Sequence, residues 1–305
     1  MPAAELEITP ALASRLLADQ QPDLVGLRLT ELSRGWDNTM FRLGDTFAVR
    51  LPHRALAEQL LLAEQRWLPD IGQGLPLPVP IPVRIGTPTE YYPWHWSVLP
   101  WFDGLALGTD PDLDYPSAAE DLGRFLAALH QQAPATAPIN DGRGCPLSDR
   151  DDITVERIEG LRGEGSPFSA DDCDQLRQRW SGYLALPDWD GPPMWLHGDL
   201  HAMNVLQYNR RISAVIDFGD ITSGDPATDL AIGYSLFTSE DAGERSSGNT
   251  LDQFRAAANS EVRPIDDATW QRAEGWAMSV GLAVIHSSAD SPAMFSVGQQ
   301  MLNLR

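Results

Sequence analysis

A polar loop followed by a predicted hairpin constrains the fold of this chain more than any other feature. Asp199 and Asn204 lie in the loop, apolar runs at 205–208 and 212–216 follow, and Asp217 comes directly after the second run. Two runs of strand-forming residues that flank a short polar turn predict a β-hairpin. Because the open ends of a hairpin's strands lie side by side, we expect Asn204 and Asp217 to be neighbours.

The polar residues of this region follow the order that kinases use. The pattern H-R-D-L-x-x-x-N is matched, except at its Arg, by His197, Asp199, Leu200 and Asn204. In such a site one Asp orients and deprotonates a hydroxyl, while the Asn and a later Asp, here Asp217, hold Mg²⁺ on a triphosphate. An ordinary loop with turn-capping Asp and Asn is the alternative. The matches in register favour phosphoryl transfer.

The same region resembles the aminoglycoside phosphotransferase family of antibiotic and small-molecule kinases, whose signature is H-G-D-L-H-x-x-N followed by I-D-F-G. Gly198 and His201 match this signature, and the resemblance covers nearly the whole chain from about residue 32 onward. It implies that Asp199 is the catalytic base, that Asn204 and Asp217 are metal ligands, and that the cofactors are Mg²⁺ and ATP or GTP as phosphoryl donor.

The resemblance also implies an α+β, bilobal, protein-kinase-like fold. A small N-terminal lobe with an antiparallel sheet, residues 1–101, would bind the nucleotide. A larger, mainly helical C-terminal lobe, residues 102–305, would carry catalysis and the acceptor; 305 residues suffice for two lobes. The segment 224–231 matches the family's G-D-P-x-x-D-L-A, in which Asp229 would brace the catalytic loop. A carboxylate near a helix N-terminus is the alternative role for Asp229.

The segment 32–39 is the candidate loop over the nucleotide phosphates. It supplies three candidate residues, Ser33, Gly35 and Asn38, although with one Gly it also fits a plain hairpin loop. On the next strand Arg50 occupies the position at which kinases carry a Lys, and Glu64 on the following helix is its expected partner. Arg is larger than Lys and planar, so this exchange is not conservative. A surface strand Arg is the alternative.

The stretch from Trp96 to Gly104 reads as a strand that runs into a turn. By resemblance it is the hinge, where backbone groups between Leu99 and Trp101 would meet the purine edge. Pro100 has no N–H to donate, so the donor would fall on Trp101 or a neighbour. An ordinary edge strand that a Pro ends is the alternative.

Composition excludes some classes of partner. The net charge is −21 and the pI is about 4.5, so neither nucleic acid nor an anionic membrane is expected as a partner. Residues 101–305 hold 32 acids against 14 Arg, which favours a cationic acceptor, although a solvated acidic surface explains the same count. No secretory signal is visible, and we expect a cytoplasmic location and a monomer or dimer.

Several further elements follow from periodicity and capping residues. Helices are expected over 8–20, 55–68, 118–131 and 268–285, whereas residues 134–175 read as loop-rich. Carboxylates in that loop-rich stretch could line an acceptor cleft, although solvated charge explains them equally.

The predicted function is transfer of the γ-phosphoryl group of a nucleoside triphosphate to a hydroxyl of a small molecule. By resemblance the acceptor is an aminoglycoside, a macrolide-type antibiotic or a similar amine-bearing metabolite. A non-catalytic nucleotide-binding protein on the same scaffold is the alternative, which Arg50 keeps open. A protein kinase is disfavoured, because four residues separate Gly219 from Gly224 and leave no room for an activation loop.

Overall fold

The computed structural model describes residues 4–108, 112–163, 166–238, 250–259, 264–287 and 291–302. The chain divides into two compact units. The first comprises Met1–Asp103 and Ala214–Ile221, and the second comprises Gly104–Ser213 and Thr222–Arg305. The predicted division at residue 101 did not include 214–221 in the first unit, because a linear sequence does not show that Val215 donates its N–H to the Pro78 carbonyl at 3.0 Å. The functions assigned to the two lobes stay predictions.

The first unit is built on a five-stranded antiparallel sheet in the order β1-β2-β3-β5-β4. Its strands are β1 Leu29–Arg34, β2 Asn38–Leu43, β3 Phe47–Pro52, β4 Arg84–Gly86 and β5 Trp96–Pro100. Buried and half-buried residues alternate along β2, and β3 is buried from Ala48 onward, as expected for a strand inside the sheet. The core beneath the sheet includes Leu16, Phe41, Leu51 and Trp96.

The segment expected as a phosphate loop is mostly strand, which corrects the prediction. Residues 32–34 belong to β1 and residues 38–39 to β2, so a tight turn remains between them, in which the Gly35 N–H donates to the Asn38 carbonyl at 2.9 Å. The two strands pair antiparallel right up to this turn, with a register shift between Glu31 and Ser33. Continuous cross-strand hydrogen bonds extend the strands further than residue type alone predicts.

Two helices complete the first unit. α1, Pro10–Gln20, begins after Thr9, whose side chain accepts the Leu12 N–H at 3.2 Å. α2, Ala55–Ile71, places Ala57, Leu61, Glu64 and Leu68 on one buried face, a spacing of three to four residues that a helix requires. α1 ends at residue 20, as predicted. α2 ends three residues beyond the predicted residue 68, because the helix continues through Pro69.

The second unit is mainly helical. Its described helices are α3 Tyr115–Leu129, α4 Asp151–Gly160, α5 Ala170–Leu184, α6 Ala227–Leu236, α7 Thr250–Ala258, α8 Asp267–Ser287 and α9 Pro292–Leu302. α3 packs on α7, and α8 packs on both α6 and α9. Among the described residues, no helix is long and apolar enough to span a bilayer.

The stretch 134–175 is more helical than predicted, since it contains α4 and the beginning of α5. α4 buries only Thr154 and Ile158, one of them polar, so apolar periodicity does not reveal the helix. The Thr154 hydroxyl hydrogen-bonds the Ser279 hydroxyl of α8 at 2.9 Å. Tertiary packing, rather than local amphipathicity, therefore stabilises this helix.

Short strands place the loop of interest. β7, Met194–Leu196, pairs with β10, Thr222–Gly224, and a second small sheet has the order β6-β8-β9, with β6 Leu105–Ala106, β8 Val205–Tyr208 and β9 Arg211–Val215. The turn between β8 and β9 consists of Asn209 and Arg210, whose φ angles are 51° and 66°. Positive φ at both positions is the geometry of a two-residue hairpin turn, so the predicted hairpin is present.

Candidate active site

The loop that follows β7 in the second unit is fixed at its start by a buried carboxylate. Asp229, in the first turn of α6, accepts the backbone N–H of His197 at 2.7 Å and that of Gly198 at 3.0 Å. Gly198 has a φ of 87°, a left-handed conformation that favours glycine. The brace that the resemblance implied for Asp229 is therefore formed, and the left-handed conformation at position 198 favours the Gly found there.

Asp199 follows this brace and lies among positive groups. Its Oδ1 is 2.8 Å from Nη2 of Arg143, its Oδ2 is 3.4 Å from Nε2 of His201, and its side chain is 27% exposed. The Asn204 side-chain amide donates to the Asp199 backbone carbonyl at 2.9 Å. The loop therefore holds the Asp199 carboxylate in one position while leaving part of it accessible.

Electrostatics keep this carboxylate ionised. Burial acts to raise the pKa of Asp199, but the hydrogen bond and charge of His201, together with the charges of Arg143 and His197, outweigh it and hold that pKa well below its usual range. A carboxylate that remains charged at neutral pH can accept a hydrogen bond from an alcohol and orient it.

The side-chain nitrogen of Asn204 is engaged in contacts within the loop, whereas its amide oxygen accepts no hydrogen bond from a described residue. The nitrogen donates to Asp199 and lies 3.5 Å from the His201 ring, and the Asn204 backbone N–H donates to the His201 carbonyl at 2.9 Å. The amide oxygen is therefore the atom left for a hard cation, so the residue fits the predicted role. No group of three or more His, Cys, Asp or Glu that could hold a metal occurs among the described residues.

The first unit carries a buried ion pair between β3 and α2. Arg50 Nη1 lies 2.8 Å from Glu64 Oε2, and the two side chains are 5% and 0% exposed. The same Nη1 lies 3.7 Å from Oδ1 of Asp217, whose side chain is 58% exposed. Arg50 is thus no surface residue. It contacts both carboxylates that the sequence singled out in this unit.

The charge of Arg50 is stabilised by this pair of carboxylates. Burial acts to lower the pKa of Arg50, but the opposite charges of Glu64 and Asp217 raise it above its ordinary value. Asp217 has a left-handed backbone, with φ and ψ both 64°, and begins the short helical turn Phe218–Asp220. A Cβ on Gly219 would lie 3.4 Å from Arg50 Nη2, an ordinary contact distance, so this turn lies against the guanidinium.

The remaining predicted nucleotide residues lie on the same sheet. Ser33 is in β1, Asn38 is in β2 and Gly35 is in the turn between them. Leu99 is buried in β5 opposite Ala48, and the Trp101 N–H donates to the Thr46 carbonyl at 2.8 Å. That bond occupies the backbone N–H of Trp101, which was one of the expected donors to the purine. The purine would therefore have to accept from a neighbouring residue, the other expected option.

Sequence reasoning missed Arg143. It lies in the loop between α3 and α4, 56 residues before Asp199, and no local pattern connects the two. His201 belongs to the quoted signature, but the pattern gave it no role, whereas its ring contacts the Asp199 carboxylate. From the sequence, carboxylates of residues 134–175 could line an acceptor cleft. The residue of this stretch that contacts Asp199 is instead a cation, Arg143.

These features define a class of protein. A five-stranded antiparallel sheet with a buried Arg–Glu pair, followed by a mainly helical unit with a braced Asp loop and a hairpin, forms the kinase-like fold. The predicted fold class is confirmed by solved structures that cover nearly the whole chain.

Three of these solved structures share 16% to 21% identity with the chain. The GDP complex of aminoglycoside 2′-phosphotransferase-IIIa has a TM-score of 0.69 at 20% identity and 97% coverage of both chains. Macrolide 2′-phosphotransferase type I has a TM-score of 0.60 at 21% identity, over 98% of this chain and 100% of that one. A streptomycin–ATP–APH(2″)-IIa ternary complex has a TM-score of 0.59 at 16% identity, over 96% and 95%.

The family is established by a match over most of the chain. The model of the phosphotransferase enzyme family, APH, matches residues 28–276. The chain therefore belongs to this family and is a small-molecule kinase. No curated protein matches it. The roles of the individual site residues stay predictions, as does the expected closeness of Asn204 and Asp217.

Proposed function

We propose that the protein transfers the γ-phosphoryl group of ATP or GTP, bound with Mg²⁺, to a hydroxyl group of a small molecule. Asp199 is the catalytic base, and Asn204 and Asp217 supply oxygen ligands to Mg²⁺. The observation that carries this proposal is the braced loop, in which Asp229 holds the backbone ahead of Asp199 and the Asn204 amide holds the Asp199 carbonyl. Such rigidity is what phosphoryl transfer requires, because its catalysis consists mostly of positioning and charge stabilisation.

Asp199 acts by orienting the acceptor hydroxyl and taking its proton. A partly exposed carboxylate that is held by Arg143 and His201 can accept the hydroxyl's hydrogen bond without reorganising. The same charges make Asp199 a weak base, so the proton would leave the hydroxyl late in the reaction. This is expected for a loose transition state, in which the attacking oxygen has gained little positive charge.

The nucleotide is proposed to bind the first unit. Arg50, held by Glu64, takes the place of the usual Lys toward the phosphates, and Asp217 beside it takes Mg²⁺. Bound Mg²⁺ would neutralise charge on the phosphate oxygens. The turn residue Gly35, with Ser33 and Asn38, would cover the phosphates, and the backbone near Leu99 and Trp101 would meet the base. The structural neighbours include both GDP and ATP complexes, so either nucleotide is a candidate donor.

The acceptor candidates are hydroxylated small molecules. The names of the neighbours suggest aminoglycosides and macrolides, and amine-bearing metabolites share their chemistry. We further propose a cytoplasmic protein, monomeric or dimeric, that binds neither nucleic acid nor membrane, since its net charge of −21 repels both.

A non-catalytic nucleotide-binding role is a second candidate, and one observation favours it. Arg50 contacts two carboxylates, Glu64 and Asp217, which compete with phosphate for its guanidinium. Nucleotide binding without transfer to any acceptor would support this second candidate.

Steady-state turnover of ATP and GTP with Mg²⁺ across a panel of hydroxylated acceptors tests the proposal. Transfer should occur with at least one acceptor, and Asp199→Asn should lower kcat by about 10²- to 10⁴-fold while nucleotide affinity stays within about twofold, because the base acts in the transition state. Asp188→Asn, the same exchange at an exposed position, is the matched control. An Asp199→Asn variant that retains most of its kcat would refute the role of Asp199.

A further inference from the structure

Three arginines of the second unit form a group beside Asp199, which we call the arginine cluster: Arg143, Arg150 and Arg157. Arg143 lies in the loop before α4, Arg150 ends the short helical turn Leu147–Arg150, and Arg157 lies in α4. All three are half-buried. The family signature includes none of them, and the proposed transfer chemistry uses none beyond the contact of Arg143 with Asp199.

Geometry connects the cluster to the catalytic loop. Arg143 Nη2 contacts Asp199 Oδ1 at 2.8 Å. Arg150 Nη1 would lie 3.3 Å from a Cβ on Gly142, so its guanidinium lies against the backbone that carries Arg143. Arg157 lies in α4, seven residues after Arg150, and the charges of both Arg150 and Arg143 act on it.

The two outer arginines have no anionic partner in the part of the chain that the structure describes. No described Asp or Glu oxygen lies within 4.0 Å of a guanidinium nitrogen of Arg150 or Arg157. The Nε of Arg150 and the Nη1 of Arg157 are buried and donate to no described hydrogen-bond acceptor. Arg162, just beyond α4, differs: it pairs with Glu159 at 2.8 Å and with Asp174 at 2.6 Å.

Two half-buried cations without a described carboxylate partner are unexpected in this protein. The chain has 43 acids against 22 arginines, so carboxylates are abundant. Burial lowers the pKa of Arg150, and the charge of Arg143 lowers it further. Burial likewise lowers the pKa of Arg157, and the charges of Arg150 and Arg143 add to the effect. Like charges held together away from water are unfavourable until an anion joins them.

We propose that the arginine cluster binds an anionic group, a carboxylate or a phosphate, of the acceptor whose hydroxyl Asp199 orients. Guanidinium forks match the oxygens of both groups in bidentate geometry. Arg143 contacts Asp199, so an anion on the cluster would place the rest of the molecule near the base. The inference rests on the proposed function, and it names an anionic hydroxylated compound as the acceptor class in place of a polycation, which the cluster would repel.

A binding experiment tests the site without requiring turnover. Inorganic phosphate and, separately, acetate are titrated by calorimetry into the full chain and into Arg150→Gln and Arg157→Gln. Each variant should weaken binding of the favoured anion by about 10- to 100-fold, the value of one charged hydrogen bond. Arg162→Gln, the same exchange at a paired surface arginine, should leave binding unchanged.

The two titrants distinguish the two kinds of anionic group. Stronger binding of inorganic phosphate identifies a phosphate site, and stronger binding of acetate identifies a carboxylate site. Absence of binding, or binding that neither substitution weakens, overturns the inference. Melting temperatures verify folding, and if Arg150→Gln fails to fold, Arg157→Gln alone decides the result.

A transfer experiment completes the test. Hydroxyl compounds are compared in matched sets with neutral, cationic and anionic substituents, such as glycerol, 3-amino-1,2-propanediol, glycerate and glycerol 3-phosphate. Anionic members should be preferred, and Arg157→Gln should raise their KM by about 10- to 100-fold while the KM for the nucleotide stays unchanged.

The failures are distinguishable. Transfer that prefers cationic members, unaffected by Arg157→Gln, overturns the anionic acceptor and leaves the kinase activity intact. Anion binding that depends on Arg150 and Arg157, without transfer to any acceptor, contradicts the proposed function and leaves the anion site in place.

Discussion

The two units surround their key charged residues with opposite excesses of charge. In the first unit, one guanidinium, Arg50, lies between the carboxylates of Glu64 and Asp217. In the second, one carboxylate, Asp199, contacts a guanidinium and an imidazole, those of Arg143 and His201. The first group carries one more negative than positive charge, which suits a divalent cation. With Arg150 and Arg157 added, the surroundings of Asp199 carry an excess of positive charge, which suits an anionic ligand.

This contrast reverses what the distribution of charges along the sequence suggested. Residues 1–100 hold 11 acids against 8 Arg and are close to neutral, whereas residues 101–305 hold 32 acids against 14 Arg. Most of the acids among them that the structure describes are exposed to solvent, so they contribute little to the field at a half-buried site. The sum over a domain therefore predicts solubility, and the few side chains that fold inward decide what the site binds.

The largest expected effect is on the second unit, at Asp199. Asp199→Asn should lower kcat by about 10²- to 10⁴-fold, because general-base catalysis contributes that much. The variant should also bind nucleotide as the unmodified protein does, as measured by calorimetry. Loss of nucleotide affinity in parallel with kcat would show that Asp199 acts in binding, and the assignment would fail.

The second-largest effect is on the stability of the first unit, at the ion pair between Arg50 and Glu64. Glu64→Ala leaves the buried Arg50 with the more distant Asp217 alone and should reduce the free energy of unfolding by about 3–5 kcal/mol. Urea denaturation measures this loss. Arg124→Ala removes an exposed ion pair with Glu120 and should change stability by less than about 1 kcal/mol. Equal losses in the two variants would mean that the Arg50 pair is not effectively buried.

Asp229 tests whether the loop beside Asp199 depends on its brace. Asp229→Asn replaces a charged acceptor of two backbone N–H groups and should lower the free energy of unfolding by roughly 1.5–3 kcal/mol. Asp267→Asn alters an exposed carboxylate in the first turn of α8 and serves as the matched control. Unchanged stability of the Asp229 variant in urea denaturation would argue against the brace.

The smallest effect concerns pH. The charge of Arg143 helps to hold the pKa of Asp199 down, so Arg143→Gln should raise that pKa. Asp199 must be deprotonated to act, so activity falls as pH drops through its pKa. The acidic limb of the kcat/KM profile should therefore move to higher pH in Arg143→Gln and stay in place in Arg162→Gln. An unmoved limb would exclude Arg143 as the group that controls Asp199.

Much of the fold was predictable because local rules determine it. The hairpin turn at Asn209 and Arg210 and the helix that begins after Thr9 both follow from residues adjacent in sequence. α4 and the strand character of residues 32–34 did not follow, because contacts across the fold stabilise them: Thr154 bonds to Ser279, and β1 pairs with β2. Long-range packing overrides local preference in both places.

By itself, the sequence determined the family and the candidate chemistry, because the motif residues around Asp199 and Asp217 lie at fixed spacings that local structure preserves. The tertiary structure alone decided the surroundings of those residues. It brought Arg143 across 56 positions to Asp199 and left Arg150 and Arg157 half-buried without a described carboxylate partner. Charge in a site depends on distance and burial in three dimensions, and neither is encoded in spacing along the chain.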